Sequence, residues 1–178
     1  MERARRIIDG VGKVVALEDL VEIRSRLKRE GKRVVFTNGC FDILHRGHVH
    51  YLKKAKARGD VLIVGLNSDS SVRRLKGEGR PIIPEEDRAA VLAGLEAVDY
   101  VCIFEEETPA RLISKLVPDL LVKGSDWAPD QIVGRDTVTS AGGEVLTIDE
   151  LPSISTSSII ERIVERYCKK TARREDMK

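Results

Sequence analysis

No stretch of this sequence approaches the ~18 consecutive apolar residues of a membrane-spanning helix. Residues 1–30 carry too much charge for the apolar centre of a secretory leader. Cysteine is sparse: Cys40, Cys102 and Cys168 stand far apart without a C-x-x-C pair, which argues against a disulfide framework and fits a reducing compartment. Neither sign of charge prevails, since 31 Lys and Arg face 29 Asp and Glu for a formal net charge of +2, so the basic field that draws nucleic acid is missing. The locally basic ends, Arg3, Arg5 and Arg6 at one and Lys169, Lys170, Arg173 and Arg174 at the other, read as solvated tails. Internal repeats and low-complexity linkers are also lacking. Gly10-Val11-Gly12-Lys13 lacks the spacing and the hydroxyl of a P-loop, and Gly77-Glu78-Gly79 lacks the third glycine of a dinucleotide fingerprint, so neither a P-loop kinase nor a dehydrogenase is supported. These gaps predict a cytoplasmic protein with no membrane and no nucleic-acid partner. Its 178 residues suit one domain with a real core.

What is present is alternation. An amphipathic helix is expected over 18–29, with Leu17, Leu20, Val21, Ile23 and Leu27 as its apolar residues and Gly31 as its stop. Short, β-branched apolar runs at 33–37, 61–67, 100–104, 120–123 and 144–148 read as strands buried on both faces. Helical patterns at 49–58, 85–95, 109–116 and within 131–141 separate them. A last helix at 156–170 places Ile159, Ile160, Ile163, Val164 and Tyr167 on one face, which should pack on the sheet. The pattern predicts an α/β fold, a Rossmann-like doubly wound five-stranded parallel sheet. With the first strand central, the order is 3-2-1-4-5, and the loops 38–48 and 123–127 face each other where that order reverses. The expected organisation is an N-terminal extension over 1–31 carrying the amphipathic helix, a main domain over 32–170 and a charged tail over 171–178.

The run Thr37-Asn38-Gly39-Cys40-Phe41-Asp42-Ile43-Leu44-His45-Arg46-Gly47-His48 lies where the first strand hands over to a helix. Free backbone N–H groups and the positive end of the helix dipole point outward at such a junction, which suits phosphate. Gly47 lets the chain pass close to a ligand. His45 and His48 could instead be core residues or a metal pair. Further metal ligands in the segment amount to Asp42, Cys40 and His50, unlike the usual zinc spacings. A second feature is Ile154-Ser155-Thr156-Ser157-Ser158, where consecutive hydroxyls precede an apolar helix. An N-cap explains one or two of them, and the surplus suggests a second helix start aimed at phosphates. The basic stretch 73–81 reads either as a solvated loop or as a mobile one that closes over a polyphosphate.

Gly39-x-Phe41-Asp42-x-x-His45-x-Gly47-His48 resembles the signature of the cytidylyltransferase-like nucleotidyltransferases, which move a nucleoside monophosphate from an NTP onto a phosphate and release pyrophosphate without a covalent intermediate. The segments 64–69, 74–77, 80–82, 121–124 and 142–145 further resemble the heptose 1-phosphate adenylyltransferases, and the likeness covers about residues 11–166. A class I aminoacyl-tRNA synthetase shares an H-x-G-H-like motif but needs far more chain and a K-M-S-K-S-like loop. The resemblance implies a free-standing adenylyltransferase that uses ATP and Mg²⁺ on D-glycero-D-manno-heptose 1-phosphate, as a homodimer. Two alternatives stay open: a cytidylyltransferase on glycerol 3-phosphate or another phosphorylated polyol, and a nucleotide-binding protein of this fold without turnover.

The resemblance also distributes roles. His48 would hold the α-phosphate, His45 the β/γ side, and Lys76 would reach the phosphates from the basic stretch; these are the catalytic candidates. Nucleotide contacts are implied for Cys40, Phe41, Gly47, Arg88, Gly124, Asp126, Ser155, Thr156 and Ser157. Acceptor contacts are implied for Thr37, Asn38, Gly39 and Asp42. Some relatives carry an Arg before the hydroxyl motif, where this chain has Leu151-Pro152-Ser153. Plain structural readings compete at several positions: Arg88 as an ion-pair partner of Glu85, Asp42 as a turn former, and Trp127 as a core cover rather than a pocket wall. Thr108-Pro109 is a good helix start, with Thr as cap and Pro at the first turn.

Overall fold

The computed structural model describes residues 12–125, 127–149, 151 and 154–175. Helix α1 (Leu17–Arg29) leads into β1 (Val34–Gly39), α2 (Arg46–Lys56), β2 (Val61–Asn67), α3 (Asp69–Lys76), α4 (Glu85–Ala93) and β3 (Tyr100–Phe104). Then come α5 (Ala110–Leu116), β4 (Leu120–Gly124), a 3-10 turn (Pro129–Gln131), α6 (Arg135–Ser140), β5 (Glu144–Ile148) and α7 (Thr156–Glu175). The five strands form one parallel sheet in the order β3-β2-β1-β4-β5, as expected. None of the described helices is long and apolar enough to cross a membrane.

Period-two alternation divides the central strands between two cores. Val35, Leu62, Val64 and Val101 face one side, against Leu52 and Ala55 of α2 and Ala89 and Leu92 of α4. Val34, Phe36, Ile63 and Cys102 face the other, against Leu20 and Leu27 of α1, Leu112, Ile113 and Leu116 of α5 and Val138 of α6. Helix α1 therefore belongs to the packed body rather than to an appendage. Val14 joins it there through a bridge to Val101.

Three local expectations are corrected. The stretch 73–81 is only half loop, because Ser68 caps a short helix, α3, whose Ser71 N–H donates to the Ser68 hydroxyl. Helix α5 starts at Ala110, with Pro109 in the cap position and no side-chain cap bond, so Thr108 is not the cap. The apolar stripe of α7 does not pack on the sheet: Ile163, Val164 and Tyr167 are exposed, and α7 continues to Glu175. Both sheet faces are already covered by α1, α2, α4, α5 and α6, which leaves α7 no face to cover.

An ion pair between a buried Arg24 and a half-exposed Asp119 ties β1 to β4. The Asp119 carboxylate accepts from the Val34 N–H at 2.8 Å and from Arg24 Nη2 at 2.9 Å, while Arg24 Nε and Nη2 also donate to the carbonyls of Leu116 and Val117. Arg24 is almost fully buried, so removing its partner strands a charge in the core. Asp119→Ala is expected to lower the unfolding free energy by about 2–3 kcal/mol in urea denaturation, with the m-value unchanged.

Candidate active site

The site forms where β1 and β4 part. The chain leaves β1 toward α2 on one face and leaves β4 toward α6 on the other, which opens a crevice at their carboxyl ends. His45 is the cap residue of α2: its Nδ1 accepts the Gly47 N–H at 3.1 Å, so the helix begins at Arg46, three residues before the sequence pattern suggested. A lone pair used at Nδ1 leaves the proton of the neutral ring on Nε2 as a donor. His48 stacks on His45 with centroids 3.8 Å apart and meets the edge of Phe41 at 5.2 Å. Phe41 holds this place in a left-handed backbone conformation (φ 45°), a strained geometry for a bulky residue. His48 Nδ1 is buried with no partner among the described residues, so Nε2 is the nitrogen left to meet a ligand.

Both rings are biased toward the neutral form. Burial lowers the His45 pKa. Burial, and then the repulsion of His45, bring His48 down from 6.5 to about 4. Two stacked imidazoles, one of them partly desolvated, do not share positive charge readily. Because its folded pKa lies below its unfolded one, His48 adds stability that is complete above about 6.5 and is lost as the pH falls toward 4.

The start of α7 stands across the crevice. Ile154 Cγ2 would lie 3.3 Å from a Cβ built on Gly47, so any side chain at 47 would press on both Ile154 and the His45 ring. Ser155 and Ser158 form a reciprocal capping pair: each backbone N–H donates to the other's hydroxyl, at 3.0 and 3.1 Å. The cap therefore occupies the Ser155 hydroxyl, while Thr156 and Ser157 line the cavities. The two motifs, more than a hundred residues apart in sequence, meet at one place.

Two chambers share that place. One, of about 210 Å³, is lined by His45, Gly47, Gly124, Leu151, Ile154 and Ser155. The other, of about 560 Å³, is lined by Lys76, Arg80, Asn67, Thr108, Pro109 and Ser157. Asn38, Gly39, Cys40, Phe41, His48 and Trp127 line both. Trp127 is thus a cavity wall rather than a core cover, and it is 44% exposed. Burial raises the pKa of the Cys40 thiol, although Lys76, Arg88 and Arg80 pull the other way. Asp126 lies outside the described residues.

Three of the expected ligand contacts are engaged with other parts of the protein. The Thr37 hydroxyl is fully buried and bonded to Tyr51 Oη at 2.7 Å, tying β1 to α2. The Asp42 carboxylate has no exposed surface. It accepts from the N–H groups of Ile82 and Ile83 and pairs with Arg80. Burial pushes its pKa up, but those donors outweigh it and hold the group below the usual carboxylate range. The Arg88 side chain is likewise sealed. It donates to the carbonyls of Ile83, Cys40 and Asn67 and to Asp69, so it braces the loop, one of the two roles the resemblance implies beside a phosphate contact. Glu85, its proposed ion-pair partner, accepts the Asp69 N–H. Sequence reasoning gave Arg80 and Lys123 no role of their own, although it placed the 123–127 loop at the switch point and Arg80 in the basic stretch 73–81. Arg80 pairs with Asp42, and Lys123 Nζ lies 2.9 Å from Asn38 Oδ1.

Known proteins resemble this chain over most of its length. A family model described as Cytidylyltransferase-like matches residues 36–162. The Bifunctional protein HldE of Syntrophotalea carbinolica is 55% identical over 152 residues, covering 85% of this chain and 30% of that protein. The protein of the same name from Geobacter metallireducens is 54% identical over 159 residues, covering 89% of this chain and 32% of that one. The chain thus spans about a third of the length of these curated relatives. Among solved structures, a lipopolysaccharide core biosynthesis protein from Thermoplasma volcanium matches at 32% identity and a TM-score of 0.57, over 68% of this chain and 98% of that chain. A pantoate-beta-alanine ligase from Francisella tularensis, complexed with beta-gamma ATP and beta-alanine, shares the fold at 16% identity and a TM-score of 0.56, over 82% of this chain and 74% of that chain.

Two measurements test the site as described. In the ligand-free protein the His48 ring resonances should titrate with a midpoint near 4. A midpoint close to the free-histidine value of about 6.5 would contradict the packed, desolvated pair. Arg88→Ala should cost about 3–5 kcal/mol of unfolding free energy, the scale of a broken buried ion pair. A contact made only to ligand would leave the denaturation curve in place.

Proposed function

The chain belongs to the cytidylyltransferase-like family, and from that premise we propose that it transfers AMP from ATP to D-glycero-D-manno-heptose 1-phosphate, giving ADP-heptose and pyrophosphate. One observation carries the reading: the N-terminus of α2, with His45 and His48, and the hydroxyl-bearing start of α7 open onto a single cavity. Two helix starts converging on one space make a polyphosphate cradle. The triphosphate lies along the wall the two chambers share, between the histidine pair and the start of α7, and the phosphorylated acceptor meets it there. The heptose acceptor is favoured by the relatives named HldE and by the neighbour named for lipopolysaccharide core biosynthesis.

The chemistry follows from charge. An acceptor phosphate oxygen bonds to the α-phosphorus while the α–β bridging bond breaks, and its electron pair leaves with pyrophosphate. The acceptor is already ionised at neutral pH, so no general base is required. His48 Nε2 stabilises charge growing on the α-phosphate, and His45 Nε2–H donates toward the leaving side. Thr156, Ser157 and the free N–H groups at the start of α7 receive the pyrophosphate, and Lys76 approaches from the end of α3. The Mg²⁺ implied by the resemblance would arrive with the nucleotide's phosphates, where it would neutralise charge.

Pyrophosphate release should be measured over a panel of sugar and polyol phosphates with ATP and with CTP. The expected result is turnover with ATP and heptose 1-phosphate. Turnover with CTP and glycerol 3-phosphate, or none with any pair, would overturn the reading. His48→Ala should raise the barrier by about 2–4 kcal/mol in the same assay, the scale of a lost oxyanion donor.

A further inference from the structure

We propose that the part of the larger chamber over the ends of β2 and β3 binds the hydroxyl groups of the acceptor's polyol, with Asn67 as the residue that selects for them. This rests on the adenylyltransferase reading above and names a subsite for its acceptor. The two chambers share the wall at the end of β1, but only the larger one reaches Asn67, the last residue of β2, and Glu107 and Thr108 in the connection from β3 to α5. Asn67 lies in register with Phe104, the last residue of β3, so the three residues come from neighbouring strand ends.

A relay of hydrogen bonds fixes which way the Asn67 amide is turned. The Ser71 hydroxyl donates to the Glu106 carbonyl at 2.7 Å, which spends its one proton. Toward Asn67 it can then only accept, so the atom 3.0 Å away is Nδ2 and the other end of the amide is the oxygen Oδ1. Among the described residues nothing donates to Oδ1. Asn67 is 3% exposed, yet Oδ1 is not one of the buried polar atoms left without a partner, so it keeps contact with the open chamber. The same relay ties α3 to the connection after β3, where Arg74 also donates to the Glu105 carbonyl, so the acceptor atoms are held in place before a ligand arrives.

An amide oxygen selects by chemistry. An ionised phosphate has no proton to give it, whereas a sugar hydroxyl has. The Glu107 carboxylate adds further acceptor positions: its ion pair with Arg74 is long, at 3.7 Å, and leaves the side chain 65% exposed. The Thr108 hydroxyl is free of capping duty, because Pro109 takes the cap position of α5. The phosphate of the acceptor is served elsewhere, at the wall that carries the histidine pair and the start of α7. One end of the chamber thus suits an anion and the other suits hydroxyl donors, and a polyhydroxylated phosphomonoester presents both. An acceptor without the matching hydroxyl would leave a nearly buried oxygen unpaired, which is how a hydrogen-bonding pocket rejects a close analogue.

The test sets Asn67→Ala against the wild-type chain, with heptose 1-phosphate and its monodeoxy analogues as acceptors and ATP as donor. Steady-state pyrophosphate release gives kcat/KM for each acceptor and KM for ATP. Removal of at least one sugar hydroxyl is expected to cost the wild type about tenfold or more in kcat/KM and to cost the variant less than about threefold, because the partner of that hydroxyl is already gone. The ATP KM and the ATP-induced Tm shift should stay nearly unchanged. If every deoxy analogue loses as much in the variant as in the wild type, Asn67 has a merely structural role and the proposal is overturned. A raised ATP KM with an unchanged kcat/KM for heptose 1-phosphate would overturn it equally. Should Asn67→Ala fail to fold, as judged by its melting curve, the exposed Glu107→Ala carries the same comparison. A wild-type protein inactive on heptose 1-phosphate and on every other phosphate of the panel would instead overturn the adenylyltransferase reading, so the two failures are distinguishable.

Discussion

Two neighbouring parallel strands whose chains depart to opposite faces cannot have their carboxyl ends covered by a single connection. At β1 and β4 this geometry leaves a crevice that neither α2 nor α6 fills, and the candidate site occupies it. Asp119 and Arg24 anchor the opposite end of the same pair, so the separation at the mouth is set by a rigid base. The site exists because the sheet has a switch point there. The residues around it are the ones that two strand ends and two helix starts happen to present.

Charge is used in two ways around this crevice. Asp42 and Arg88 are fully sealed and spend their hydrogen-bonding capacity on backbone groups of the 80–83 segment, the turn after β1 and the end of β2. Such buried ions give shape rather than chemistry, since their partners are fixed and no ligand can compete. Lys76 and Lys123, in contrast, line the cavities. Between these lie the two imidazoles, held neutral by desolvation and by each other. A neutral donor pair suits a ligand that arrives with its own counter-charge.

Family membership bears out the reading of the chain as a nucleotidyltransferase and, together with the sheet order, the doubly wound architecture. The ligase neighbour at 16% identity shows how far the fold extends beyond any one acceptor. In this chain the larger chamber is lined by Lys76, Arg80 and Lys123 together with Asn67, Glu107 and Thr108. The exposed apolar stripe of α7 is a separate feature that the sheet did not need.

The linear sequence was enough to determine the strands, the sheet order and the position of the histidine motif at a strand-to-helix junction. Those features are encoded locally, in β-branched runs, helical periodicity and glycine placement, and local codes survive reading in one dimension. It also carried both halves of the site, the 45–48 and 154–157 segments. Tertiary structure decided which polar groups face ligand and which hold the scaffold. Thr37, Asp42 and Arg88 look like ligand contacts in a string of letters, yet Tyr51, Ile82, Ile83 and Asn67 claim them in space. The sequence placed Lys123 in a loop at the switch point, and the fold showed that it meets Asn38 and the Trp127 ring there. A hydrogen bond is settled by whichever partner lies within about 3 Å, and such partners come from anywhere in the chain.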